Sequence, residues 1–363
     1  MSKVPFSPAE IENAVEVPGF FGTMSKKYQT PITPKENYRM VYERKVPLWI
    51  PISGDSLMLT PRVDPDNVAR CFCFEANPLK PEEMIGGPDK FGIEWVYVPM
   101  VNGSMVRPGA PTLEDVNDWK KIIKFPDIES WDWEGSKASN AEHVNTDRFL
   151  SATILTGFYE RLISFMDFEN AALALIDEDQ QDAVHELFDA LADLYIKMID
   201  KFIYCYGIDQ LSFHDDWGSQ RAPFFSLATV REMIVPHIKK LTDYCHSRGV
   251  FFDIHSCGKN ELLVPAYIES GCDSWSGQPM NDKAMLYEKY GDQIILGIES
   301  DLRASVPGDP NTISADEAKA SAKRFIDKYA GDYAKRPVLA SAFGVPNDYA
   351  ETLYVESRKL FNS

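Results

Sequence analysis

The feature that most constrains this chain is a rhythm. From about residue 33 onward, short apolar, β-branched or aromatic runs alternate with longer stretches whose apolar residues recur at helical spacing. The strand-like runs are 47–52 (PLWIPI), 151–155 (SATIL), 209–213 (DQLSF), 249–254 (GVFFDI), 293–298 (QIILGI) and 337–342 (PVLASA). Weaker ones lie at 94–98 (EWVYV) and 273–276 (DSWS). Between them, 181–206 carries Val184, Leu187, Leu191, Leu194 and Met198 along one face and is predicted helical. So are 228–247, 259–270, 280–290 and 314–330, the last opening on a Ser314–Glu317 capping box. Strands alternating with helices build a parallel sheet. Six to eight such units in one run predict an α/β fold, a (β/α)8 TIM barrel. Residues 1–33 lack sustained periodicity and are expected to form an N-terminal extension. Residues 34–363 are expected to form a single barrel domain, with 61–147, rich in turn formers and tryptophan, as an insertion at its rim.

Composition narrows the function classes. With 363 residues and 44% hydrophobic content, the chain can bury a large core. Its net charge of -18 argues against nucleic acid, whose phosphates call for a basic surface, and against anionic membranes. No apolar run approaches the eighteen or so residues of a membrane span, and the first twenty residues have no apolar segment of a secretion signal. Six cysteines are too sparse for a disulfide scaffold, so a reducing, cytoplasmic location is expected. No P-loop, GxSxG or GxGxxG occurs, which removes support for nucleotide binding and serine hydrolysis.

In a barrel of this kind the C-terminal strand ends build the active site, and three strand exits carry chemistry. The first is His255–Ser256–Cys257–Gly258. Imidazole nitrogen and thiolate sulfur are preferred zinc ligands, and the start of the 259–270 helix would lower the thiol pKa. A buried cysteine beside an unrelated hydrogen-bonded histidine is an equal alternative on spacing alone. The second exit is Glu299, after the 293–298 run, a candidate third ligand or simply a capping acid. The third is His214–Asp215–Asp216–Trp217. Either acid could position substrate or move protons, or one could cap a turn, and His214 is a further candidate ligand. Cys71 and Cys73 lack a matching second pair, and Cys272 lies at the wrong end of a strand. His143, His185, His237 and His246 read as ordinary packed or surface histidines.

Taken together in order and spacing, several segments resemble the uroporphyrinogen decarboxylase superfamily, and within it the zinc-dependent corrinoid methyltransferase branch. They are TPKENYRMVYERKVPLWIPI, GFYERLISFMDFENAALALI from Gly157, FHDDWGSQ from Phe213, DIHSCGK, and LASAFGVPND near the end. The decarboxylases place arginines after the first strand to hold substrate carboxylates; this chain has Ile50–Pro51–Ile52–Ser53–Gly54–Asp55 there, which disfavours decarboxylation. The methyltransferase branch implies zinc on His255, Cys257 and a late cysteine. Near Ala342–Phe343–Gly344, where that cysteine would fall, there is none, and Glu299 is the expected replacement by position. Exchanging a thiolate for a carboxylate makes a metal a stronger Lewis acid, suited to an ether oxygen.

The resemblance thus implies methyl transfer from a methoxylated aromatic to the Co(I) of cobalamin carried by a separate corrinoid protein, an O-demethylation. Asp215 or Asp216 would act as the catalytic acid or orienting group. His214, Trp217, Phe158, Tyr159, Trp49 and Phe343 would line the substrate, with Trp275 a further aromatic at a strand exit; core packing is the alternative for many of them. Methyl transfer from corrinoid to a thiol of coenzyme M type, porphyrinogen decarboxylation and a non-catalytic tetrapyrrole-binding barrel are the other readings. The sequence leaves the oligomeric state open, a homodimer among the options.

Overall fold

The computed structural model describes residues 4–18, 24–100, 103–302, 313–341 and 344–362. The strands in chain order are β1 (Val15–Pro18), β2 (Met24–Lys27), β3 (Ser56–Leu59), β4 (Gly86–Pro88), β5 (Glu94–Val98), β6 (Gly103–Val106), β7 (Phe149–Ile154), β8 (Gln210–His214), β9 (Phe251–Ser256), β10 (Ser274–Gly277), β11 (Ile295–Glu299) and β12 (Val338–Ser341). Seven of them, β3 and β7 to β12, are the strands of an α/β fold of the (β/α)8 TIM-barrel class. Helices separate β7 from β8 and each later strand from the next. Among the described residues no helix is long and apolar enough to cross a membrane.

The chain divides into two compact units, the first comprising 1–57, 147–150 and 273–363. Here β10, β11 and β12 pair in parallel, with Trp275 opposite Leu296 and Glu299 opposite Ser341. The weak DSWS run is therefore a genuine strand. The helices Lys283–Tyr290, Ala315–Tyr329 and Asn347–Phe361 follow these strands. Ser314 caps the second through the Glu317 amide, as the spacing predicts. Trp275 is fully buried beneath the Lys283 ammonium, 4.7 Å from its ring centroid, so it serves the core.

PLWIPI departs from expectation. It is buried but forms no strand. Side chains take the place of a ladder: Asn37 accepts the Leu48 amide at 2.8 Å and donates to the Trp49 carbonyl at 2.9 Å, while Ser357 Oγ accepts the Ile50 amide at 2.9 Å. Buried backbone groups must be paired, but the partner need not be backbone. Trp49 is fully buried and donates to Asp55 at 2.7 Å, which makes it a core residue of this unit. The N-terminal residues are also anchored: buried Glu10 pairs with Arg358 at 3.2 Å and accepts from Tyr354 at 2.5 Å.

The second unit comprises 58–146 and 151–272. β7, β8 and β9 run parallel, with Ser151 opposite Gln210 and His214 opposite His255. The helices Phe158–Ala174 and Gln181–Tyr206 lie between β7 and β8. The apolar face of the second buries Val184, Leu187, Leu191, Leu194 and Met198, and each such side chain contributes roughly 1.5–3 kcal/mol by leaving water. Gly207 ends that helix in the left-handed conformation, φ 66°, that glycine adopts at little cost. The expected 228–247 helix is two, Leu227–Met233 and Val235–Ser247, broken at Ile234 just ahead of Pro236. EWVYV is β5, the middle strand of the antiparallel sheet β4–β5–β6, and not a barrel strand.

A fully buried cluster of charges holds this sheet to the helix Phe158–Ala174. Arg161 pairs with both Asp66 and Asp89, and Lys90 reaches Asp64 at 2.9 Å and Asp66 at 3.3 Å.

His237 proves to be a packed histidine with partners. Buried between helices, it lies 3.0 Å from His185 Nδ1 through Nε2 and 3.2 Å from Asp189 through Nδ1. Burial lowers its pKa to about 4; Asp189 opposes this, while His185 and Lys240 add to it. A histidine held neutral by the fold favours the native state above its unfolded pKa of about 6.5. That contribution is lost as pH falls from about 6.5 towards 4, because only the unfolded chain then takes up the proton. Urea midpoints at pH 7.5 and 4.5 should show the wild type losing on the order of 1–3 kcal/mol more than His237→Asn. Equal losses would contradict this.

Candidate metal centre

The register of β8 and β9 sets the site. Because His214, the last residue of β8, stands opposite His255, the last but one of β9, their rings stack with centroids 4.9 Å apart and planes within 15°. The chain then turns out of each strand and supplies a second donor two residues on: Asp216 after β8, Cys257 after β9. His214, Asp216, His255 and Cys257 each bring one donor atom to within 4.8 Å of all the others. His255 Nε2 lies 3.4 Å from Cys257 Sγ, and His214 Nε2 lies 3.3 Å from Asp216 Oδ1.

Gly258 explains how the two exits come so close. It has φ 94°, and a Cβ there would collide with the backbone of Gly218 and Ser219. The Lys259 amide bonds the Ser219 carbonyl at 2.8 Å, and the Cys257 amide donates to Asp216 at 2.6 Å. Asn260 fastens the turn from below, donating to Ser256 Oγ at 2.9 Å and the Cys257 carbonyl at 2.6 Å. The expected helix start behind Cys257 is not found. The next regular turn is Glu261–Leu263, followed by the short helix Val264–Glu269, and burial pushes the thiol pKa up.

Asp215 and Asp216 separate in role. Asp215 is fully buried; its Oδ1 accepts the Glu160 amide at 2.9 Å, and its Oδ2 accepts the Tyr159 amide at 3.1 Å and Trp217 Nε1 at 2.9 Å. The helix Phe158–Ala174 starts at Gly157, which has no side chain to cap it. Asp215 supplies the cap from the residue just past β8, in space that a side chain at 157 would fill. Burial, with Glu160 nearby, raises its pKa to about 7. Asp216 stays below the usual carboxylate range: burial opposes ionisation, but the His214 and His255 rings outweigh it. For His214 burial is likewise outweighed, here by the Asp216 and Glu160 carboxylates, and its pKa lies well above the ordinary value.

The expected substrate aromatics divide similarly. Phe158 is core, packed among Phe188, Tyr195, Phe213 and His237. Trp217 is fully buried and stacked on Tyr267 at 5.1 Å. Tyr159 joins Phe168, Phe224 and Phe225 in an aromatic cluster, of which Phe168 and Phe224 are exposed. Sequence reasoning missed those three phenylalanines, although Phe224–Phe225 in the strand exit was a visible signal. Glu299 ends β11 in the first unit, and Phe343 falls outside the described residues.

The donors fit a divalent metal chemically. Two imidazoles, a thiol and a carboxylate form a set that zinc accepts, and donor atoms on a tetrahedral ion lie about 3–4 Å apart, the range of the His255–Cys257 and His214–Asp216 contacts. His214 also has the surroundings of a ligand: its Nδ1 sits 2.9 Å from both the Leu155 carbonyl, its hydrogen-bond partner, and Glu160 Oε2, contacts that orient the ring and turn Nε2 toward Asp216. Fold and site thus define an α/β-barrel protein with a mixed nitrogen, sulfur and oxygen donor group at two neighbouring strand ends.

No protein-family model and no curated protein matches the sequence. Among solved structures, the chain is similar to a methyltransferase from Methanosarcina mazei, with a TM-score of 0.58, 16% identity, and coverage of 92% of this chain and 100% of that one. At this identity the likeness is one of fold. An endo-β-1,4-xylanase of glycoside hydrolase family 10 from Gloeophyllum trabeum matches with a TM-score of 0.36, 8% identity, and coverage of 63% and 81%.

Proposed function

We propose that this protein is a zinc-dependent methyltransferase that moves a methyl group from a phenyl methyl ether to the Co(I) corrinoid of a separate partner protein, releasing a phenol. The observation that carries the reading is the convergence of His214, Asp216, His255 and Cys257 at the ends of β8 and β9. The barrel likeness to a methyltransferase and the motif resemblance agree with it.

Catalytic zinc keeps one position for substrate beside three protein ligands. We assign those ligands to His214, His255 and Cys257. Asp216 already accepts the Cys257 amide, so its role is to orient the thiol-bearing turn. Glu299, the ligand expected by position, is then not required. When bound, zinc would supply a Lewis acid for the ether oxygen, and one thiolate among the ligands instead of two suits that task. The chain's own residues do the rest. The Leu155 carbonyl and the Glu160 carboxylate fix the orientation of the His214 ring through Nδ1. Asp215 fixes the start of the helix that carries Glu160. Phe168 and Phe224, the exposed members of the cluster around Tyr159, offer rings against which an aromatic substrate can stack.

The test uses the protein purified without chelator, free cob(I)alamin and a methoxybenzoate. About one zinc per chain, with methylcobalamin and phenol formed together and both lost in chelator, would support the reading. A metal-free wild type, or a zinc protein that methylates only thiols, would overturn it.

A further inference from the structure

We propose that Glu160 and Arg70 form a positioning pair that makes His214 a metal ligand, and that through Arg70 the segment carrying β4 to β6 sets the strength of the metal site. The proposal rests on the donor group being a metal centre, and deepens that reading.

Glu160 has two oxygens with two different partners. Oε2 is 2.9 Å from His214 Nδ1, and Oε1 takes Arg70 Nη1 at 2.9 Å. The same Arg70 nitrogen donates to the Leu155 carbonyl at 2.6 Å, the oxygen that also faces His214 Nδ1. Arg70 therefore holds in place both groups that face His214 Nδ1, the Leu155 carbonyl that is hydrogen-bonded to it and the Glu160 carboxylate that pairs with it. All three side chains are largely buried, where charge-assisted contacts of this kind are strong.

Arg70 is itself placed by β5 and by its own helical turn. Its guanidinium lies 4.9 Å from the centroid of the Trp95 ring on β5, and its amide bonds the Asp66 carbonyl at 2.8 Å. Asp66 in turn pairs with buried Arg161. Consecutive residues of one helical turn thus reach in different directions: Arg161 grips the segment and Glu160 grips the ligand. A displacement of the β4–β6 segment would reach the site through Arg70, without any donor residue changing.

Partners of metal-bound histidines typically contribute 10–100-fold to metal affinity. Zinc affinity measured by chelator competition should fall by about that factor in Glu160→Gln and by a smaller factor in Arg70→Met. In the cobalt(II)-loaded chain, Glu160→Gln should shift the d–d bands while the sulfur-to-cobalt charge-transfer band, which reports Cys257, persists. A purely structural role for Glu160 would not separate those bands. If either variant does not fold, the other carries the test. Unchanged zinc affinity and unchanged cobalt spectra in the folded variants overturn the positioning proposal while leaving the metal centre intact. A wild type that binds neither zinc nor cobalt overturns both.

Discussion

Replacing Arg161 with methionine is expected to destabilise the protein by about 3–5 kcal/mol, read as a drop in the urea midpoint. The magnitude follows from what would be left behind. Arg161 is fully buried, sandwiched near the rings of Phe91 and Phe165, and paired with Asp66 and Asp89. Methionine matches much of its volume, so lost packing is minor. The cost is electrostatic: Asp89 loses its guanidinium, and Asp66 keeps only Lys90 at 3.3 Å, itself shared with Asp64. Neutralising the stranded acids as well, in the triple variant Arg161→Met, Asp66→Asn, Asp89→Asn, should recover part of the loss, because a buried ion pair is worth far less than an unpaired buried charge costs. If the single variant were as stable as the wild type, the two acids would have to be protonated or solvated in the native protein.

Cys257→Ala, His255→Ala and His214→Ala should each weaken zinc binding by roughly 100-fold or more, since a binding energy of up to about 10 kcal/mol is shared among the three assigned ligands. Asp216→Asn should cost much less, because asparagine can still accept the Cys257 amide. Glu299→Gln should leave zinc content unchanged. Elemental analysis together with chelator competition separates these outcomes. A loss in Asp216→Asn as large as in Cys257→Ala would make the carboxylate a fourth ligand, and a loss in Glu299→Gln would restore the ligand expected from the chain's order of strands.

The sequence disclosed the strand–helix succession because buried parallel strands leave continuous apolar runs and their crossover helices leave a 3.6-residue period. It misjudged PLWIPI, since an apolar run reports burial but not the source of its hydrogen bonds, here Asn37 and Ser357. EWVYV is a strand, but of a separate antiparallel sheet; nothing local distinguishes an antiparallel from a parallel strand of five residues. Of the site, His255 and Cys257 were visible from spacing. The part played by Asp216 was not, because it depends on a register between strands 41 residues apart, as the amide bond from Cys257 shows. Glu160 was invisible for a similar reason: on its helix it reads as an ordinary first-turn acid, and only the β8 exit reveals what it faces.

The pairing of β8 with β9 also bears on how the site comes into being. All four donors fall within residues 214–257, in a single strand–crossover–strand unit, and the turn that joins them is secured by Gly258 and Asn260, which follow directly. Closing a loop of that length is entropically modest. The donors therefore become neighbours as soon as two strands and their crossover have docked, before β10 to β12 have been added to the chain emerging from a ribosome. An ion captured at that stage would act as a staple on the nascent unit, so that metal supply during synthesis, and not only afterwards, would influence how much protein reaches the native state.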